Sequence, residues 1–569
     1  MLTAIKEKIV ADIAQETSLP EGEILSLLEV PKSLDHGHLA MPVFFLAKQL
    51  RKAPPVIAKE LAEKLAARNN PLVEKVEPVS GFVNFHLKSK EFQEILLRAV
   101  QDSGDELGDL KVGQNQTMII DFSSPNVAKP MSIGHLRATV IGQAIYNLAK
   151  TQGYKVIGLN HLGDWGVQFG KLAWAFQKWG NEYDFANKPF ESLFQIYVRF
   201  HDEAEKDESL NAEGSLVFKK LEQGDPEIHA IWRQFVDISL KEYSRLWGLL
   251  GVEHDLVCGE SFYNDRLKPT EKLLEDKGLL EESEGAMVVR LDEDKLPPCL
   301  IRKSDGASLY ATRDIASAIY RMEDLKCDLN LYVVGEDQTL HFRQVFRVME
   351  KMGYPWAKNC HHISFGMYRF KEGRMSTRKG NVIFLEDVLN KAMEMMREIV
   401  EEKNPSLSAD EKATVARQVG VGAVIFNDLA NDRVKNVDFD WDRVLSFEGD
   451  SGPYVQYMNV RCLSVLRKYG KPVPTEMPAV LDSEWEKELI RLLMKLEDVL
   501  SGAFRQFKPH VVAGYLLDVC QAFSQFYHHC RVLGEGEDLE KSRVALVYCT
   551  QKVLAKGLKV LSIEAPEVM

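Results

Sequence analysis

The stretch Met118-Ile119-Ile120-Asp121-Phe122-Ser123-Ser124-Pro125-Asn126-Val127-Ala128-Lys129-Pro130-Met131-Ser132-Ile133-Gly134-His135-Leu136-Arg137 decides the fold. Its opening apolar run, Met118-Ile119-Ile120, reads as a buried strand. Past the loop, Leu136, Val140, Ala144 and Leu148 recur at helical spacing, and Gly153 stops that helix. Lys155-Val156-Ile157-Gly158-Leu159 reads as the next strand. Strand, helix and strand make a βαβ unit, which predicts a parallel sheet. Sheets of this kind bind ligands at the carboxyl ends of their strands. The loop at that end carries Lys129, with Gly134 and His135 at the helix start. Unpaired N–H groups and the helix dipole favour a phosphate there, and Gly134 lets it close on the backbone. The residues alone leave a second reading open, an ordinary strand–helix turn with a polar surface.

A chain of 569 residues predicts several domains, each able to bury a core. Its hydrophobic share of 45% and charged share of 27% are those of a soluble protein. No apolar run approaches membrane-spanning length, and Met1-Leu2-Thr3-Ala4-Ile5-Lys6 opens neither a signal nor a transit peptide. A cytoplasmic location without membrane contact is the expectation. The 8 cysteines are scattered and form no Cys-x-x-Cys pair. His361-His362 and His528-His529 are adjacent rather than spaced as ligands, so no structural metal is expected. A net charge of −13 argues against a protein that coats nucleic acid, and no DNA partner is expected. A specific RNA remains open, because local basic patches govern such binding.

Residues 1–110 read as a separate small α+β unit. In it Gly81-Phe82-Val83-Asn84-Phe85-His86-Leu87 alternates with period two. Val83, Phe85 and Leu87 are expected to face the core, and Phe82, Asn84 and His86 to face outward. An outward ring beside an amide suits a base, the ring stacking and the amide reading an edge; a plain exposed strand face fits the same pattern. From 111 to 390 strands and helices alternate. A charged helical insertion between about 176 and 251 carries Trp179, Trp232 and Trp247. From 391 to 569 the pattern is helical.

Four further strings carry chemistry. Asn160-His161-Leu162-Gly163-Asp164-Trp165-Gly166 is a glycine-rich loop after the second strand, at the sheet's carboxyl edge. Tyr310 and Asp314 lie four apart on one helix face, while Glu260 follows Gly259 and Gln338 follows a strand. Salt bridges to Arg313, Arg321 or Arg343 would account for these acids equally well. Arg374-Met375-Ser376-Thr377-Arg378-Lys379-Gly380 is a basic loop between glycines, able to neutralise phosphate charge or to serve as a surface turn. Gly452-Pro453-Tyr454-Val455-Gln456-Tyr457-Met458-Asn459-Val460-Arg461 starts a helix with Tyr454, Tyr457 and Arg461 on one face. That face is either a platform for unstacked bases or a core stripe.

Ser132-Ile133-Gly134-His135 resembles the "HIGH" element of class I aminoacyl-tRNA synthetases, with Ser132 in place of the usual His. Ser123 to Arg137 and the Gly163-Asp164-Trp165-Gly166 string are similar to the arginyl-tRNA synthetases in particular. Arg374 to Arg378 resembles the "KMSKS" element, with Arg374 for its first Lys and Thr377 for its second. The resemblance spans nearly the whole chain. The fold it implies is α/β, a Rossmann-like class I catalytic domain with a helical insertion. A small N-terminal additional domain and an all-α anticodon-binding domain flank it.

The function implied is ATP-dependent activation of arginine and its transfer to the terminal adenosine of tRNA(Arg), with Mg2+ arriving on ATP. Lys129, Ser132, Gly134, His135, Arg374, Met375, Ser376, Arg378 and Lys379 would act on the phosphates, Lys129 supplying charge missing from the second motif. Asp121, Asn126, Glu260, Tyr310, Asp314 and Gln338 would surround arginine, since a guanidinium's fixed fork of donors asks for carboxylates and carbonyls. Phe82, Asn84, Tyr454, Tyr457, Arg461, Tyr527 and Met569 would touch tRNA. The chain is expected to act as a monomer. Two other readings fit the same strings: a tRNA-independent ligase adenylating another carboxylate, and a silent tRNA-binding relative, which Ser132 alone invites.

Overall fold

The computed structural model describes residues 2–31, 34–303, 310–370 and 383–569. Its centre is a parallel sheet of β1 (Thr117–Asp121), β2 (Lys155–Asn160), β3 (Leu256–Val257), β4 (Leu329–Tyr332) and β5 (Cys360–His362), in spatial order β5-β4-β1-β2-β3. The order reverses at β1, so the crevice at β1's carboxyl end is where a ligand is expected. β1 is apolar without alternation because both faces are covered: Met118 and Ile120 enter one core and Ile119 another, all fully buried. The helix Ile133–Thr151 buries Leu136, Val140, Ala144 and Leu148 against the sheet, and Gly153 turns the chain with φ +84°.

The insertion is four helices, Val167–Trp179, Pro189–Lys206, Ser209–Glu222 and Pro226–Leu249, and begins earlier than its composition suggested. The last is started by Asp225, whose carboxylate accepts from the N–H groups of Glu227 and Ile228, with Pro226 in the first turn. Between β3 and β4 the chain adds a three-stranded antiparallel sheet, Glu281–Ser283, Ala286–Val289 and Cys299–Arg302. The helix Tyr310–Ile319 follows and ends in a π-turn, Tyr320–Asp324.

In the N-terminal domain Phe82–Leu87 is the middle strand of three, between Leu39–Pro42 and Val73–Val79. That position corrects one expectation: Asn84 is only 2% exposed. Cross-strand Ala40 and Glu77 flank it, and its i±2 neighbours Phe82 and His86 stand on the same face. Phe82 is half-buried, its ring edge-on to the exposed Phe44 at 5.2 Å.

The expected border at 390/391 falls inside one helix, Leu385–Lys403, whose buried stripe Leu385, Val388, Leu389, Ala392 and Met396 packs on the helix Ala409–Leu429. Tyr368–Phe370 pairs in parallel with Val437–Phe439, a second seam between catalytic and helical regions. The first and last domains also touch, through Lys6–Asp498 at 2.9 Å and through Gln93, whose side chain accepts from the Leu481 N–H at 3.0 Å. No helix among the described residues is long and apolar enough to cross a membrane.

Candidate active site

The loop from Phe122 to Ser132 runs along β1's carboxyl end and is held from one side by the insertion. Ser239, Tyr243 and Trp247 form an i, i+4, i+8 stripe on the helix Pro226–Leu249. Ser239 Oγ accepts from the Ala128 N–H at 3.0 Å, Tyr243 Oη donates to the Asn126 and Lys129 carbonyls at 2.7 and 2.8 Å, and Trp247 Nε1 donates to Ser123 Oγ at 2.9 Å. Two of the clasped residues, Ser123 and Ala128, have left-handed φ of 54° and 67°, which a non-glycine residue keeps only when its surroundings enforce it. No motif marks this stripe in the sequence. Its spacing was readable, but nothing in it said that its polar tips faced a loop.

The loop ends on Ser132, which caps the helix. The Ser132 N–H donates to His135 Nδ1 at 2.9 Å, and Ser132 Oγ lies 3.0 Å from the same nitrogen. Nδ1 is therefore an acceptor and the ring's proton sits on Nε2. Burial pushes His135 below the usual histidine range and keeps it neutral. Gly134 is exposed, and a Cβ there would meet only Ser132 Oγ, at 3.4 Å, so the space before the helix stays open. Lys129 lies with its ammonium 5.0 Å from the centre of the Tyr197 ring on the insertion.

Arg374, Met375, Ser376, Arg378 and Lys379 lie outside the described residues. The chain that follows them is pinned to the same loop: Ile133 N–H donates to the Ile383 carbonyl at 3.0 Å and Leu385 N–H to the Met131 carbonyl at 2.9 Å. The chain that precedes them is tied down by Arg137, the last residue of the opening stretch and 1% exposed. It donates to the Gly366 and Lys435 carbonyls at 2.7 and 2.8 Å and pairs with the buried Asp428 at 3.2 Å, which also accepts from Tyr368 Oη at 2.5 Å.

An acid-rich pocket lies on the other side of β1. Glu260, Asp164 and Asp314 all act electrostatically on one guanidinium, Arg313, which itself donates to the Glu260 backbone carbonyl and, at 2.9 Å, to Asn264 Oδ1, so carboxylates outnumber the cation. Burial pushes Glu260 up to about 7, with Asp164 and Asp314 adding repulsion and Arg313 opposing. Asp164 is also raised by burial and takes two bonds from Ser261, 2.8 Å from its N–H and 2.6 Å from its hydroxyl. Gly259 permits this, since a Cβ there would fall 2.5 Å from that carboxylate. Asn126 is exposed beside Gly163, where a Cβ would strike its side-chain oxygen. Tyr310 is 71% exposed, Gln338 is exposed, and Asp314 is half-buried with its Oδ2 2.5 Å from His341 Nε2.

The Asp121 carboxylate accepts from the fully buried Arg321 at 2.8 Å and from Ser124 Oγ at 3.1 Å. The chain's own guanidinium, presented by the π-turn, thus pairs with one of its oxygens.

On the helical domain, Tyr454 is half-buried, Tyr457 is 38% exposed, and Arg461 lies flat on Tyr527 at 4.4 Å. Tyr457 shares a cleft of about 410 Å3 with Met569, Lys403 and Phe447. Tyr454 packs against the hydrophobic core, whereas Tyr457 stands outside it. Among the described residues no group of three or more His, Cys, Asp or Glu is placed to hold a metal ion.

A parallel sheet that reverses at β1, a phosphate-type helix start and an all-helical appendage define a class I aminoacyl-tRNA synthetase. Residues 96–441 match the model for the class I (R) tRNA synthetase catalytic domain, 455–569 the DALR anticodon-binding domain, and 3–87 the arginyl-tRNA synthetase N-terminal domain. The chain is 46% identical to the arginine–tRNA ligase of Clostridioides difficile over 99% of its own length and 98% of that protein, and 47% identical to arginine–tRNA ligase 2 of Bacillus anthracis over 97% of each. It superposes on the Thermus thermophilus arginyl-tRNA synthetase structure with a TM-score of 0.84 at 28% identity, each chain covered fully. The chain belongs to the arginyl-tRNA synthetase family, and its activity is the ligation of arginine to tRNA.

Proposed function

We propose that the acid-rich pocket takes arginine and the clasped helix start takes the phosphates of ATP, with tRNA(Arg) as acceptor. The observation that carries this is the surplus of carboxylates around Arg313, which a substrate cation balances. Asp314 and Glu260 would receive cationic groups of arginine. Asn126, Tyr310 and Gln338, all exposed, would complete its shell.

In the first step an oxygen of arginine's carboxylate attacks the α-phosphorus and pyrophosphate leaves. In the second, a hydroxyl of the terminal adenosine attacks the arginyl carbonyl and AMP leaves. No protein nucleophile is required, so the chain's part is alignment and charge stabilisation. The neutral His135 donates from Nε2, the helix start at Gly134 offers backbone N–H groups, and Lys129 adds a full positive charge. Arg374, Ser376, Arg378 and Lys379, with Met375 between them, are proposed to reach the same phosphates. Mg2+ is typical of the family and would arrive on the triphosphate. A donor set of N–H groups, imidazole and ammonium suits a metal carried by the nucleotide.

Phe82 would meet tRNA from the first domain, where Asn84 is too enclosed to read a base. Tyr454, Tyr457, Arg461, Tyr527 and Met569 would meet it on the helical domain. A cytoplasmic monomer is the form we propose. Charging a tRNA pool with each amino acid in turn tests the reading. Arginine alone should be accepted, and Asp314→Asn should raise the arginine requirement without altering that for ATP. Acceptance of another amino acid, or an Asp314→Asn enzyme with ordinary arginine dependence, would overturn it.

A further inference from the structure

Asp314 and Arg313 are neighbours on one helix, in a pocket with more carboxylates than cations. Consecutive helix positions point apart, so Arg313 does not orient the Asp314 carboxylate. An aspartate has two side-chain torsions, and left unheld it would sample orientations away from the crevice. What holds it lies on another element. His341 stands in the first turn of the helix Thr339–Lys351, which packs against Tyr310–Ile319, and its Nε2 lies 2.5 Å from Asp314 Oδ2. Among the described residues His341 is the one side chain that hydrogen-bonds this carboxylate.

Both groups are half-buried, with side-chain exposures of 24% and 21%, so the contact is screened from bulk water yet opens to the crevice. The His341 ring is itself held, edge-on to Phe342 at 5.4 Å. Gln338 stands immediately before the same helix and is proposed to touch arginine as well. The first turn of that helix therefore carries one substrate contact and one support for another.

We infer that His341 is a positioning residue for arginine recognition. Its Nε2–H fixes one oxygen of Asp314 and aims the carboxylate into the crevice. The inference rests on Asp314 being an arginine ligand. A group held in its bound orientation loses less freedom on binding, so the support acts on arginine affinity and leaves the nucleotide site untouched.

The test is a double-mutant cycle on the full chain with tRNA present, reading KM for arginine, KM for ATP, kcat and the melting temperature. His341→Ala should raise the arginine KM about tenfold, with ATP KM and melting temperature unchanged. His341→Gln, which keeps an N–H near the same place, should return it to within about threefold of the parent. In an Asp314→Ala background the further loss from His341→Ala should vanish. Equal penalties in both backgrounds would overturn the inference, as would an unchanged arginine KM in His341→Ala. An Asp314→Ala enzyme with ordinary arginine KM would instead remove the assignment of the pocket, so the two failures are distinguishable.

Discussion

The two sides of β1 are built on opposite plans. On the nucleotide side the chain satisfies itself: Ser239, Tyr243 and Trp247 clasp a loop with two left-handed residues, Ser132 caps a helix, and His135 is neutral. On the acid-rich side, proposed to take arginine, charge is left over, with Glu260, Asp164 and Asp314 near a single guanidinium, Arg313, and Glu260 pushed up to about 7. The first plan fixes a backbone shape that a polyanion then reads. The second gathers negative charge that a proton on Glu260 relieves in part and that a bound cation would relieve in its place. On the function proposed above, specificity for arginine would live in the acid-rich half, and rate in the rigid half.

Substitutions on each side should fail differently. Asp314→Ala strips a charge-assisted hydrogen bond from the acid-rich half and should raise the arginine requirement by about 2–4 kcal/mol. Steady-state kinetics in arginine at saturating ATP and tRNA measure it, and normal charging at low arginine would place specificity elsewhere. Lys129→Ala removes the one full positive charge of the clasped loop and should cost at least a hundredfold in turnover, about 2.7 kcal/mol, in single-turnover adenylation. Near-normal turnover would mean that other basic groups suffice.

Away from the sheet, Tyr457→Ala should weaken tRNA binding by about 1–3 kcal/mol if a base stacks on the exposed ring. Its melting temperature should stay that of the parent, whereas loss of stability together with binding would make it a packing residue. The smallest effect expected is that of Ser132→Ala, below tenfold in adenylation. The Ser132 bond to His135 Nδ1 comes from the backbone N–H and survives the change. A dead enzyme would show that the hydroxyl, 3.0 Å from that nitrogen, does more than assist.

Much of this was legible in the sequence, for identifiable reasons. β1 and its helix announced themselves because uninterrupted burial and a 3.6-residue stripe are one-dimensional signals. The placement of Glu260 and Asp314 near each other followed from resemblance, and their local pattern would not have given it. What escaped was set by partners distant in sequence. The partner of Asp121, Arg321, stands 200 residues away, and no local pattern pairs them. Asn84 alternated outward, yet the middle-strand position between Ala40 and Glu77 encloses it. His341 and the Ser239–Tyr243–Trp247 stripe carry no motif, because their meaning lies in what they face.

The gathered negative charge is tested most directly by counting protons as arginine binds. A folded pKa near 7 leaves Glu260 largely protonated below that pH, and a bound cation should return it toward 4.5. Binding should therefore release a proton between those values. Affinity should rise with pH up to about 7 and level off above it. Calorimetry at pH 6 in two buffers of different ionisation enthalpy gives the number released. The account predicts a release approaching one proton, abolished in Glu260→Gln. No release in the parent enzyme, or an undiminished release in Glu260→Gln, would contradict it.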